Sequence, residues 1–124
     1  MDAMIAETAQ RVFADGAEDP AALWTALEES GLAAAATPEP MGGAGLGPEE
    51  VFGLMRLAGA HAADAPLAET LLAARFLAAA GVTPPAGRMT LAVGGRMREG
   101  RVTADLRAVP YALAAERVLL LAEG

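Results

Sequence analysis

Cysteine is absent from the 124-residue chain, which excludes disulfides, thiolate metal sites and a cysteine nucleophile. Lysine is absent as well, so all nine basic residues are arginine, a bias expected of a GC-rich genome. Acidic side chains number 16, leaving a net charge of −7. Nucleic acid and anionic membrane surfaces both demand a basic face, and neither is expected as a partner. No apolar run reaches the length of a membrane span, because charge or proline breaks every alanine-rich stretch. The start has no basic segment ahead of an apolar one, with Asp2 and Glu7 interrupting it, so no signal peptide is expected. A soluble, cytoplasmic protein follows as the expectation.

What the chain does contain is apolar. Hydrophobic residues make up 54% and charged residues 20%, a globular balance, and the length suffices for one real core. Its most informative stretch is residues 31 to 46, GLAAAATPEPMGGAGL. Pro38 and Pro40 fix φ and lack a donor, while Gly42, Gly43 and Gly45 permit positive φ or close backbone approach. Leu32, Met41 and Leu46 punctuate it with apolar side chains, which predicts a shaped loop between two helices rather than a floppy linker.

Periodicity places helices on both sides of that loop. Residues 2 to 14 carry Ile5, Thr8 or Ala9, Val12 and Phe13 at helical spacing, and Asp15-Gly16 ends the run. Asp19 and Pro20 start a second helix with Leu23, Trp24 and Leu27 on one face, stopped by Gly31. Pro48, followed by Glu49 and Glu50 where the helix dipole favours negative charge, starts a third. Val51, Phe52, Leu54, Met55 and Leu57 spread around that helix, which predicts a central place in a bundle. A fourth runs from Pro66 to about Ala80, with Leu67, Leu71, Leu72, Phe76 and Leu77 expected inside and Gly81 at its stop.

Val82-Thr83-Pro84-Pro85-Ala86-Gly87 is the clearest boundary, and beyond it the period changes. Met89 to Val93 reads as a strand ended by Gly94-Gly95, Arg101 to Leu106 as a second, and Arg117 to Leu121 as a third that is apolar enough to be buried. The predicted class is α+β, mainly α. A bundle of about four helices occupies residues 1–83, and residues 84–124 begin an incomplete β domain. So small a sheet is marginal alone, and the chain stops soon after its strongest strand, so a neighbour in cis or in trans is expected.

Candidate chemistry is sparse. Gly43-Ala44-Gly45-Leu46-Gly47 precedes a helix, yet a dinucleotide fingerprint needs a strand where Pro38 and Pro40 stand. Glu49 and Glu50 would also oppose a pyrophosphate at that helix start. His61 is the single histidine and has Asp64 three residues on, a spacing that could polarise the imidazole. No nucleophile or second ligand is placed beside it, so the plainer reading is a histidine at a helix end, and no metal is expected. The adjacent pairs Glu28-Glu29 and Glu49-Glu50 do not share a helix face and do not make a two-carboxylate site. Trp24 and Phe52 are expected as core anchors, and Arg96, Arg98 and Arg101 cluster in a predicted hairpin. No catalytic residue is assigned.

A resemblance adds what the chemistry does not. Leu23-Trp24, then Gly31-Leu32, Pro38-Glu39 and Gly42-Gly43-Ala44-Gly45 resemble the N-terminal domain of acyl-CoA dehydrogenases, where a Leu-Trp helix leads into a G-L…P-E-x-x-G-G-x-G loop. Pro66-Leu67-Ala68-Glu69-Thr70 and its apolar helix, and Val109-Pro110-Tyr111-Ala112 leading to Val118-Leu119-Leu120, are similar to later segments of that family. The resemblance implies FAD-dependent α,β-dehydrogenation of acyl-CoA thioesters by the complete enzyme, in which a glutamate removes the α proton and the flavin takes the β hydride. It also implies that Leu67 and Thr70 line an acyl pocket, and that the chain works as a homo-oligomer or with a partner subunit.

Two parts of the family pattern are not matched. The C-terminal helical domain that bears the catalytic glutamate is absent, and the family's Thr-Glu flavin contact has no counterpart where Leu91-Ala92-Val93 runs into Gly94-Gly95. The chain alone is therefore expected to hold no flavin and to be inactive. The alternative expectation is a helical interaction or structural subunit without an enzymatic role.

Overall fold

In the computed structural model, which describes residues 1–124, Asp2 sets the first helix. Its carboxylate accepts from the backbone N–H groups of Met4 and Ile5 at 2.8 and 3.2 Å, relieving two donors that a helix start leaves unpaired. Helix α1 then runs Ala3–Asp15 and α2 runs Pro20–Glu29, the latter capped by Asp19 accepting from Ala22 N at 3.1 Å. A Cβ at Gly16 would lie 2.8 Å from that of Leu23, so the turn between the two helices closes tightly because position 16 has no side chain. Helices α3 (Pro48–Ala60) and α4 (Leu67–Ala79) complete the helical part. Phe13, Leu23, Leu27, Leu54, Leu67 and Leu71 are its fully buried large side chains.

The sheet follows, giving the α+β, mainly helical architecture the periodicity predicts. Strands β1 (Met89–Arg98), β2 (Arg101–Thr103) and β3 (Arg117–Glu123) lie in the order β2-β1-β3. β1 and β2 form an antiparallel hairpin with Arg98 opposite Arg101, and the two residues between them, Glu99 and Gly100, both have positive φ. That is the turn whose twist suits a hairpin. β1 and β3 are parallel, with Met89 opposite Arg117 and Val93 opposite Leu121. No helix is long and apolar enough to cross a membrane.

Several sequence expectations need correction. Gly94-Gly95 does not end β1. The register shifts there, from Val93 opposite Leu121 to Arg96 opposite Glu123, and the two glycines absorb a bulge at φ 142 and 77. β2 stops at Thr103 instead of Leu106, because the chain turns so that the Leu106 side chain comes over Gly94. Helix α3 is not central. It buries only Val51 and Leu54, and Phe52 is 61% exposed, since neighbours meet it along one narrow stripe. In α4 the expected Phe76 is half exposed, while Thr70, Ala73 and Ala74 are fully buried. A flat strand, β1, packs there, and its close approach selects small side chains rather than large ones.

β3 is not buried either. Val118 is 44% exposed and none of Leu119, Leu120, Leu121 and Ala122 is fully covered. Helix α4 reaches only the start of the sheet, where Ala73, Ala74 and Leu77 meet Met89 and Leu119. The rest of β3 has no helix above it and no strand on its outer side.

Candidate functional site at the helix–sheet junction

The loop at residues 31–46 is built by backbone chemistry. Gly31, at φ 82, turns the end of α2 into a 3₁₀ turn over Leu32–Ala34, and Pro38 leads into a second over Glu39–Met41. Gly42 at φ 95 then reverses the chain so that its far arm straps back across the near one. Ala44 N donates to Ala34 O at 3.2 Å, Gly45 N to Thr37 O at 2.9 Å and Leu46 N to Ala35 O at 2.9 Å. Gly43 sits where the arms touch. A Cβ there would run into Thr37 O and would lie 2.6 Å from Ala34 O.

This strap forms one wall of a cleft of about 260 Å³. Ala33, Ala34, Thr37 and Met41 line it from the loop, Thr70 and Ala74 from α4, and Met89 from β1. The segment Pro84 to Gly87 closes the far side, and Glu28 of α2 stands at the rim, exposed. The double proline that marks the boundary in sequence is thus a wall of the cleft. Its stiffness is the physical signal that could have marked it. Met41 and Thr37 were visible only as loop residues, since nothing in their spacing says which way the strap folds.

Thr70 holds the junction together. Its hydroxyl accepts from Met89 N at 3.0 Å and donates to Met89 O at 3.1 Å, in a buried setting. One side chain of α4 therefore satisfies both backbone groups of the first residue of β1. Leu67, one turn earlier, is 1% exposed and lies apart from the cleft. It lines a separate hollow of about 240 Å³ with Met55, Ala58, Glu69 and Tyr111. The two residues singled out by resemblance are near neighbours on one helix but serve different cavities.

Other candidates fall into structural roles. His61 caps the end of α3, its N–H bonded to Leu57 O at 3.0 Å, with its ring 5.7 Å from that of Phe13. Asp64 faces elsewhere and accepts from the Tyr111 hydroxyl at 3.3 Å. Burial, and then the Asp64 and Glu69 charges with the bond to Asp64, raise the Tyr111 pKa above its ordinary 10.0. Glu50 accepts from Asp2 N at 3.0 Å, tying the start of the chain to α3. Arg96, Arg98 and Arg101 stand exposed around the hairpin and form no ion pair.

Trp24 is the core anchor expected of it, 3% exposed, with the Arg88 guanidinium 5.5 Å above its ring. Its Nε1–H is the one buried side-chain polar group without a hydrogen-bond partner. Arg88 also approaches Glu116 at 3.9 Å. No three His, Asp or Glu side chains come together as a metal site would require.

The cleft has no nucleophile beside a base. Its lining can enclose a small apolar group and offer it threonine hydroxyls, with a carboxylate at the mouth. No protein-family model, curated protein or solved structure matches this chain.

Proposed function

We propose that the chain is the substrate-side part of an acyl-CoA dehydrogenase-like flavoprotein, in which the cleft receives the acyl end of an acyl-CoA thioester. One observation carries this reading: three of the segments that resemble the family converge on a single cavity. The α2 helix after Leu23-Trp24 reaches it through Glu28, the Gly31–Gly45 loop through Thr37 and Met41, and the Pro66–Thr70 segment through Thr70. Of the two residues that the resemblance assigns to substrate, Thr70 lines the cleft and Leu67 faces a separate hollow.

Size supports a short acyl group. A dry cavity of about 150 Å³ admits benzene, and drug-sized ligands occupy sites from about 300 Å³ upward. At about 260 Å³ the cleft takes a short aliphatic end and leaves the coenzyme outside. A flavin dinucleotide does not fit there, and Glu28, the one charged side chain on the rim, is of the wrong sign for a pyrophosphate. In this proposal the FAD and the proton-abstracting glutamate come from outside residues 1–124. This chain's own residues bind the acyl end, exclude water through Ala33, Ala74 and Met89, and hold the junction rigid through Thr70.

Calorimetric titration with butanoyl-CoA and with free coenzyme A tests it. Burying the acyl carbons at about 0.8 kcal/mol per methylene makes the thioester bind tighter by about tenfold or more. Met41→Trp, which fills the mouth of the cleft from a half-buried loop position, removes that preference and leaves the weak coenzyme A binding unchanged. Equal binding of the two ligands, or a preference that Met41→Trp does not alter, refutes an acyl site in this cleft.

A further inference from the structure

Three threonines are buried: Thr37, Thr70 and Thr90. Two of them use their hydroxyls inside the fold. Thr70 bonds Met89 in both directions, and Thr90 donates to Pro110 O at 2.6 Å. The hydroxyl of Thr37 has no partner in the chain, although the residue is only 5% exposed. Its oxygen is not sealed either, because the one sealed side-chain polar atom without a partner is Trp24 Nε1. What little of Thr37 stays open therefore includes its hydroxyl, and the space beside it is the cleft that Thr37 lines.

The strap holds this hydroxyl in place. Thr37 N donates to Ala34 O at 3.2 Å, and Thr37 O accepts from Gly45 N at 2.9 Å. Gly43 crosses so close to the Thr37 Cβ that a side chain on the glycine would collide with it. Both backbone groups of Thr37 are thus engaged before any ligand arrives, and a bond to its side chain needs no loop to be ordered.

A hydroxyl held this way makes the cleft selective. Covering it with hydrocarbon removes its last contact with water and leaves it unpaired, whereas a matching polar atom completes it. The remaining lining says which atom matches. Thr70 is already engaged by Met89, and Glu28 is the one charged side chain around the cleft. A carboxylate on the ligand would find no cation there. A ligand hydroxyl brings a donor as well as an acceptor, and a single partner leaves one of the two unmade. A ketone oxygen only accepts, and the O–H of Thr37 satisfies it.

Given the acyl-CoA reading, on which this rests, we infer that the cleft takes an acyl group bearing a neutral ketone oxygen, and that Thr37 selects it by donating its hydroxyl to that oxygen. The ketone lies beyond Cα and Cβ, because those two carbons give up the proton and the hydride in the proposed dehydrogenation. The shortest such group is 4-oxopentanoyl.

Calorimetric titration of the full chain with 4-oxopentanoyl-CoA, 4-methylpentanoyl-CoA and free coenzyme A tests the assignment. The two thioesters differ by an oxygen in place of a methyl group. The oxo ligand binds the parent tighter than the methyl ligand by about tenfold or more, since only the methyl ligand leaves the hydroxyl unpaired. Thr37→Val inverts that order, because the ketone then meets an apolar wall, and Thr37→Ser keeps it. Thermal unfolding shows Thr37→Val to be at least as stable as the parent, since no internal hydrogen bond is lost. If both thioesters bind equally, yet tighter than coenzyme A, the selection by Thr37 is overturned and the acyl site stands. If neither binds tighter than coenzyme A, both are overturned. A preference for the oxo ligand that survives Thr37→Val or disappears in Thr37→Ser also overturns the role of Thr37, as does a valine variant that melts well below the parent.

Discussion

Replacing Thr70 with valine changes one buried oxygen for a methyl group and leaves the shape of the side chain almost intact. The oxygen removed is the one that accepts from Met89 N at 3.0 Å and donates to Met89 O at 3.1 Å. Both backbone groups stay buried, because Thr70 is 3% exposed and Met89 2%. An N–H left without its acceptor in such a place costs about 1–3 kcal/mol, and the carbonyl adds a smaller amount. The expected loss is about 2 kcal/mol in total. Urea unfolding followed by circular dichroism, with a slope of about 2 kcal/mol per molar, then shows a midpoint lower by about 1 M. Thr70→Ser keeps the hydroxyl, loses one methyl and falls by about 1 kcal/mol or less. Exchange of the Met89 amide hydrogen separates the two variants further: valine releases its protection and serine keeps it. A valine variant within about 0.5 kcal/mol of the parent refutes the clasp, and so does a serine variant as damaged as the valine one. A variant that is fully stable but has lost its preference for butanoyl-CoA assigns Thr70 to the ligand instead of the fold.

Two further outcomes follow from backbone geometry and from charge. Gly43→Ala puts a methyl group against the carbonyl oxygens of Thr37 and Ala34; both belong to the backbone, so the strap opens, with a stability loss of about 3 kcal/mol or more by thermal unfolding, whereas Gly47→Ala, with open space around it, costs little. Tyr111 is the single tyrosine, so phenolate absorbance reports it alone. Its folded pKa lies above 10.0, first through burial and then through Asp64 and Glu69. A raised pKa means that the folded chain holds the phenol proton more firmly than the unfolded one. The contribution is therefore fully present below pH 10 and is lost as pH rises through the folded value. Asp64→Asn lowers the titration midpoint toward 10, and an unchanged midpoint refutes the Tyr111–Asp64 contact.

Helix starts were legible in the sequence because each is written in adjacent residues. Asp19 with Pro20, and Pro48, act on the backbone within a turn of themselves, and each marks a helix start in the structure within a residue or two. Burial was less legible, because a helix pattern says which residues are apolar and not how many neighbours arrive. Phe52 and Phe76 read as core and stand about half or more in solvent, while Thr70, Ala73 and Ala74, which are not among the side chains expected inside, are fully buried. What decides between them is β1, which is remote in sequence and packs on the small side of α4. Gly94-Gly95 misled for a related reason. Two glycines permit a strand to end and equally permit it to bulge, and the pairing with β3 selects the second.

The cleft illustrates the same limit from the opposite direction. Its walls include the segments that no periodic pattern describes, the strap at 31–46 and the turn at 84–87, and its floor is the Thr70–Met89 contact between a helix and a strand 19 residues apart. None of these pieces is a site by itself. Pro38, Gly42 and Gly43 force the strap to fold back, Pro84 and Pro85 stiffen the opposite wall, and the clasp sets the distance between the helices and the sheet. Part of this boundary resists collapse by side-chain rotation, because Pro84 and Pro85 hold a restricted φ and the strap packs too closely at Gly43 for a Cβ. Relaxation after a large-to-small change should therefore be poor along the strap and better along α4, where Ala74 and Met89 are free to adjust through side-chain packing. The parts of the chain least readable as secondary structure are the ones that keep the space open.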